Sequence, residues 1–128
     1  MILLLDTSTG FCKLSLIDGE WSYEDEWQAD RTLADKLLGY LEGQLRKNNK
    51  SWDDISGIGV FQGPGSFTGL RIGMTVLNTL TDAKKIPIVS ATGDEWQGRA
   101  IERLKNGEND QIVLPFYGRE ANITTPRK

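Results

Sequence analysis

Apolar and polar residues over the first thirty positions alternate as they do in short β-strands. Residues 2–6 form an apolar run ending in a carboxylate, which is typical of a strand covered on both faces of a sheet. Residues 11–17 alternate less regularly, and Asp18-Gly19 after them is a strong hairpin signal. Aromatic and acidic residues over 21–28 complete a predicted antiparallel meander, whose acidic third strand suits a solvated edge of the sheet.

From position 30 onwards the period becomes helical. Leucines spaced three and four residues apart predict a helix over residues 33–45, with Asp30 or Thr32 as its N-cap. Residues 55–61 form a glycine-bounded apolar run, which favours a parallel inner strand. The elements predicted after it are a helix over 66–83, a strand over 85–90, a helix over 94–104, and a hairpin of 111–117 and 120–124 around Gly118.

The order of these elements predicts the fold class. Strands, a helix and then strand-helix-strand form an α/β lobe of the actin-like or ribonuclease-H-like kind, with a mixed five-stranded sheet and flanking helices. Parallel strands are added beside the first strand of the meander, and a right-handed crossover through the second helix satisfies the usual chirality. Because fold alone does not give function, the functional prediction depends on particular residues.

Composition excludes several classes of function. The 128 residues include 15 Lys and Arg against 18 Asp and Glu, and the net charge of −3 disfavours a dedicated nucleic-acid binder. The chain has no histidine, which excludes Ser-His-Asp and Cys-His catalysis and histidine-ligated zinc. Its one cysteine, Cys12, lies in an apolar stretch and is expected to be buried and inert. The sequence shows neither a secretory signal nor a membrane span, so we expect a cytoplasmic protein with no membrane association.

A glycine-rich segment, Gly63-Pro64-Gly65-Ser66-Phe67-Thr68-Gly69, joins the fourth predicted strand to the second helix. Its glycines permit close approach of the main chain, and Ser66 or Thr68 can cap the helix and leave its first amides to an anion. It is not a Walker A loop, because no lysine occurs between Lys50 and Lys84. The segment therefore fits either a phosphate cradle or a structural strand-to-helix turn.

A second polar segment, Asp6-Thr7-Ser8-Thr9, follows the first strand. It occupies the place where actin-like ATPases hold phosphate and the water shell of a metal ion, and a carboxylate suits that role. The alternative is a turn whose side chains bind local amides. The candidate phosphate or nucleotide site consists of Asp6, Thr7, Ser8, Gly63, Gly65, Ser66 and Thr68.

The string over residues 60–73, Val60-Phe61-Gln62-Gly63-Pro64-Gly65-Ser66-Phe67-Thr68-Gly69-Leu70-Arg71-Ile72-Gly73, closely resembles the TsaB (YeaZ) family, as does Leu4-Leu5-Asp6-Thr7-Ser8-Thr9. Those proteins are bacterial subunits of the machinery that makes N6-threonylcarbamoyladenosine in tRNA, and they have an actin-like fold. The resemblance covers about residues 2–92, and more loosely 116–121. Because family members are longer, it implies a shortened form, with an N-terminal lobe over 1–108 and a truncated second lobe, a remnant hairpin and tail, over 109–128.

The resemblance implies a non-catalytic scaffold subunit. TsaB resembles its catalytic paralogue TsaD, lacks the metal-binding histidines of TsaD, and pairs with TsaD or with itself through helices of the N-terminal lobe. Carried onto this chain, those helices give the candidate interface residues Leu33, Leu37, Leu41, Leu70, Gly73, Met74 and Leu77. The implied partners are a TsaD-like paralogue or a second copy, with tRNA contacted only indirectly and recruitment of the ATP-hydrolysing TsaE left open. The chain is expected to hold no metal of its own, and ATP or ADP with magnesium only within a complex.

Two other functions stay open at this point. The first is a small nucleotide-binding, actin-like ATPase domain, which the two loop segments favour. The second is a glycoprotease-like hydrolase, which the sequence disfavours because it shows neither metal ligands nor an evident nucleophile and base.

Overall fold

The computed structural model describes residues 1–115 of the chain. Its helices and strands alternate much as the sequence pattern predicts. Short 3₁₀ turns at Asp30–Thr32 and Trp52–Asp54 precede the first helix and the fourth strand. The elements are β1 Ile2–Asp6, β2 Phe11–Asp18, β3 Trp21–Gln28, α1 Leu33–Lys47, β4 Gly57–Phe61, α2 Phe67–Lys84, β5 Ile88–Ala91 and α3 Trp96–Lys105.

The sheet within these residues has the strand order β3-β2-β1-β4-β5. β1 pairs antiparallel with β2, and β2 antiparallel with β3. On its other side β1 pairs parallel with β4, which pairs parallel with β5. The predicted α/β lobe is therefore confirmed: the sheet is a meander with two parallel strands added beside its first strand.

Helices cover the two faces of the sheet unequally. α1 and α2 lie over the larger core, and the leucine stripe of α1 is buried there. α3 covers the opposite face, where a smaller core forms around Leu4 and Trp96. α3 lies close to the sheet because β4 carries glycine there: a Cβ at Gly59 would lie 2.6 Å from Leu4 Cδ2 and 2.8 Å from Ala100 Cβ. No helix in residues 1–115 has the length and apolar character needed to cross a membrane.

Polar contacts tie α1 to the edge strand β3. The Tyr40 hydroxyl donates a 2.6 Å hydrogen bond to Asp25 Oδ2, and the Tyr40 ring stacks on Trp27 at 4.9 Å between centroids. Burial and the bond to Asp25 raise the pKa of Tyr40. The neighbouring Tyr23 hydroxyl donates to Gln44 Oε1 at 2.6 Å. One carboxylate of the acidic third strand thus stabilises the packing of the helix rather than facing solvent.

The predicted C-terminal hairpin is not formed where the structure describes it. Residues 111–115 contain no strand. Instead, the Asn78 side chain accepts from the Val113 amide at 2.9 Å and donates to the Val113 carbonyl at 3.0 Å. Gln62 Nε2 donates to the Leu114 carbonyl at 3.0 Å. Side chains of the lobe satisfy this segment, so it needs no strand partner. The other predicted arm, over 120–124, lies outside the described residues. The boundary between the two lobes at residue 108 stays a prediction.

The end of α2 yields a test of local backbone strain. Lys85 terminates the helix in the left-handed conformation (φ 60°, ψ 45°), which glycine adopts without steric cost. We expect Lys85→Gly to raise the free energy of unfolding by about 0.5–1 kcal/mol. Lys84→Gly, one residue earlier and inside the helix, is the matched control and should lower it by about 1 kcal/mol. Urea denaturation measures both, and equal effects of the two changes would contradict the assignment.

Candidate functional site

The predicted phosphate segment after β1 is a hydrogen-bonded turn. Asp6 Oδ1 accepts the amide of Ser8 at 2.8 Å, as in the alternative that the sequence left open. Thr7 is fully buried, and its hydroxyl donates to the Gly69 carbonyl at 2.8 Å. The side chains of Asp6 and Thr7 are therefore engaged within the chain.

The glycine-rich loop lies directly against this turn. The Ser66 amide donates to the Ser8 carbonyl at 2.7 Å, so the main chains of the two segments are joined. Ser66 Oγ accepts the amide of Gly69 at 3.1 Å, which confirms Ser66, rather than Thr68, as the N-cap of α2. Two of the main-chain amides at the start of α2 thus already have partners within the protein.

Three glycines allow this contact. A Cβ at Gly65 would lie 2.5 Å from Ser8 Cβ, and one at Gly69 would overlap the Thr7 carbonyl oxygen. A Cβ at Gly73 would overlap the Thr7 hydroxyl. Because these glycines are spaced four residues apart, they lie on one face of the loop and helix, which carries only hydrogen atoms there. The turn after β1 packs on that face. Packing within the chain accounts for all three glycines.

A cleft of about 930 Å³ opens beside the contact. It lies between the first turn of α2, the start of β2 and the 3₁₀ turn before α1, and its walls carry both Asp30 and Arg31. Of the predicted phosphate residues, Ser66 and Thr68 line this cleft, whereas Asp6, Thr7, Ser8, Gly63 and Gly65 do not. Residues 1–115 contain no group of three or more carboxylate or thiol side chains that could hold a metal ion.

The predicted partner surface requires correction. Its seven residues are all buried within the chain itself, and none of the six apolar side chains among them is more than 5% exposed. The reason is that α2 is apolar on several sides, so periodicity alone did not tell which side faces the sheet. The residues placed in the core rather than on the surface are Leu33, Leu37, Leu41, Leu70, Gly73, Met74 and Leu77.

The outer side of the same two helices carries a surface that the sequence reasoning missed. An open groove of about 290 Å³ runs between α1 and α2. At its rim Phe67 is 48% exposed, with the Arg71 guanidinium 5.0 Å from the centre of its ring. Leu38, one turn after Ala34, is 44% exposed. The residues lining this α1/α2 groove are Ala34, Thr68, Arg71, Ile72, Thr75 and Val76.

Cys12 is fully buried, as predicted. Burial, helped by the nearby charges of Asp6 and Asp25, raises the pKa of its thiol from 9.0 to about 12. The thiolate is the reactive form, so the folded protein holds this cysteine in its unreactive state.

Glycine 69 provides the test of the contact between loop and turn. Gly69→Ala places a methyl group against the Thr7 carbonyl oxygen, and we expect it to lower the free energy of unfolding by about 1–3 kcal/mol. The matched control is Gly43→Ala in α1, where nothing lies within 4 Å of the new Cβ. That change should raise the free energy of unfolding by about 0.5–1 kcal/mol. Equal stability of Gly69→Ala and wild type in urea titration would rule out the tight contact.

The Cys12 thiol provides a second test. At pH 8 the thiolate fraction in the folded state should be about a thousandfold below that of the unfolded chain, so a disulfide reagent should react only after denaturation. A Thr75→Cys variant, with its thiol on the exposed face of α2, is the control and should react at once. Rapid labelling of native wild-type protein would contradict the burial.

The raised pKa of Cys12 also makes the free energy of unfolding depend on pH. The contribution of Cys12 to it is present below pH 9.0 and is lost as the pH rises towards 12.

Comparisons with known proteins bear on what this lobe is. A family model described as "TsaD: tRNA N6-adenosine threonylcarbamoyltransferase" matches residues 27–110. The protein named "tRNA threonylcarbamoyladenosine biosynthesis protein TsaB" from Haemophilus influenzae is 28% identical over 109 residues, covering 84% of this chain and 46% of its own length. A protein of the same name from Buchnera aphidicola (subsp. Baizongia pistaciae) is 33% identical over 90 residues, covering 69% of this chain and 40% of its own length. The chain thus spans less than half the length of these relatives.

A solved structure gives the same result. "YeaZ from Pseudomonas aeruginosa" superposes with a TM-score of 0.66 at 28% identity, over 71% of this chain and 43% of that one. The residues that the family model matches include both α1 and α2. The fold shared with this structure is the actin-like lobe derived above from the strand order. On sequence and on structure, the chain belongs to the TsaB (YeaZ) family.

Proposed function

We propose that this chain acts in the biosynthesis of N6-threonylcarbamoyladenosine in tRNA, as a non-catalytic scaffold subunit that pairs with a TsaD-like enzyme. Its relatives carry the name of that biosynthesis, and the chain itself has no histidine with which to ligate a catalytic metal. The single observation that carries the scaffold role is the exposed α1/α2 groove.

The groove has the composition of a docking surface. Ile72 and Val76 form its apolar floor, and the small side chain of Ala34 leaves room for an inserted residue. Phe67 and Arg71 at the rim are of the residue types enriched where interfaces derive most of their affinity. The surface can therefore bury apolar area without desolvating an unpaired charge at its centre.

The proposed partner would offer a matching surface. The TsaD family model matches residues 27–110, which include α1 and α2. A TsaD-like protein would therefore carry an equivalent pair of helices. Two such pairs packed face to face would form a four-helix contact, whose ridges and grooves interlock at small crossing angles. A second copy of the chain could use the same surface in the absence of the enzyme.

A nucleotide role is the second candidate, and the 930 Å³ cleft favours it. Thr68 and Ile72 line both the cleft and the α1/α2 groove, so a partner seated on the groove would border the cleft. We therefore propose that ATP or ADP with magnesium binds only within the complex. Calorimetry with millimolar nucleotide, on the chain alone and on the complex, separates the two situations.

The pairing is tested by filling the groove. Ala34→Arg places a long charged side chain in it, and we expect the dissociation constant for a TsaD-like enzyme to rise at least about tenfold, or 1.4 kcal/mol. Ala34 is exposed, so the thermal midpoint should not change. Ala83→Arg, at an exposed alanine near the end of α2 and outside the groove lining, is the matched control and should bind like wild type.

Calorimetry and sedimentation velocity measure the outcome. Equal binding by Ala34→Arg and wild type would remove the groove from the interface. Absence of binding by wild type would remove the scaffold role. A wild-type homodimer that Ala34→Arg dissociates, without enzyme binding by either, would assign the groove to self-association instead.

A further inference from the structure

The outer edge of β5 is closed without a neighbouring strand. Ile88 and Ser90 direct their main-chain groups away from β4, and all four groups have partners. Asn109 Oδ1 accepts the Ile88 amide at 3.0 Å, and the Asp110 amide donates to the Ile88 carbonyl at 2.8 Å. Asp110 Oδ2 accepts the Ser90 amide at 3.4 Å, and Arg103 Nη1 donates to the Ser90 carbonyl at 2.9 Å.

Ion pairs hold these partners in place. Arg103, on α3, contacts Glu108 Oε1 through Nε at 2.7 Å and Asp110 Oδ1 through Nη2 at 2.5 Å. The guanidinium thus pairs with two carboxylates while it donates to the strand, a geometry that a lysine ammonium does not reproduce. We name Arg103, Glu108, Asn109 and Asp110 the β5 brace.

The two ends of the sheet are protected in different ways. The open edge strand β3 carries two exposed carboxylates, Glu24 and Glu26, which repel a second strand of the same kind. β5 reads Ile88-Val89-Ser90-Ala91 and has no charge, and residues 86–93 around it have none either. An uncharged edge strand rich in β-branched residues is the type that adds further strands, so β5 needs a protection that β3 does not.

We propose that the β5 brace seals this edge against strand addition, and that its release lets β5 pair with β5 of a second copy of the chain. The second copy is the occupant because an antiparallel pairing of β5 with itself about a two-fold axis is self-complementary and brings no like charges together. This role is independent of the α1/α2 groove, since α3 and the brace lie on other elements of the lobe.

Amide exchange and association test the seal together. In Arg103→Ala, at concentrations low enough for the protein to be monomeric, we expect the Ser90 amide to exchange at least about tenfold faster by NMR, with the Val89 amide, which faces β4, unchanged. At higher concentrations, sedimentation velocity should show a dimer whose fraction increases with the protein concentration. All proteins carry Ala34→Arg, so pairing through the groove does not contribute. Lys105→Ala, which removes an exposed cation from the same helix, is the matched control and should behave like the parent.

A second variant covers the case in which Arg103→Ala does not fold. Asn109→Ala removes the acceptor of the Ile88 amide and leaves both ion pairs intact, so within β5 the Ile88 amide alone should exchange at least about tenfold faster. The Gln111 amide shares that acceptor and should exchange faster as well. Unchanged exchange at Ile88 and Ser90 in the folded variants would overturn the seal. Faster exchange by proteins that remain monomeric would overturn pairing with a second copy.

Discussion

The lobe depends on how closely α2 approaches the turn after β1. Thr7 and Ser8 lie against a face of the loop and helix that carries only hydrogen atoms, at Gly65, Gly69 and Gly73. This approach sets the depth of α2 over the sheet. The first turn of α2 forms a wall of the cleft, its outer face forms half of the α1/α2 groove, and Asn78 holds the segment at Val113. One steric constraint thus positions the cleft, the groove and the segment at Val113.

The same constraint changes the meaning of the glycine-rich string. A cradle for phosphate leaves main-chain amides unpaired, whereas here the amides of Ser66 and Gly69 are bonded inside the chain. The string that marks the family forms a tight strand-to-helix junction in this chain, and its role in binding phosphate stays a prediction. The proposed partner surface lies on the far side of the helix that the junction holds, where Ala34 of α1 and Ile72 of α2 both line the groove.

Much of the fold followed from periodicity, because strands and helices have distinct repeats and the turn residues separate them. The meander, the helical spacing of the α1 leucines and a cap of α2 at Ser66 or Thr68 were all predictable. The partner surface was not, because α2 is apolar on several sides and burial depends on tertiary packing. The predicted Met74 and Leu77 proved to be core, while Thr75 and Val76 between them line the groove. The β5 brace was equally hidden, since its bonds join side chains to main-chain groups of residues distant in sequence.

The pairing through the groove is measured most directly by a spin label on Thr75→Cys. The buried Cys12 thiol leaves the new thiol as the one site that reacts in the native chain. We expect the mobility of the label to fall when a TsaD-like enzyme is added, while a label on Glu102→Cys, on the α3 face, stays mobile. A groove label that remains mobile at saturating enzyme, or a label on α3 that is immobilised instead, would contradict docking through α1 and α2.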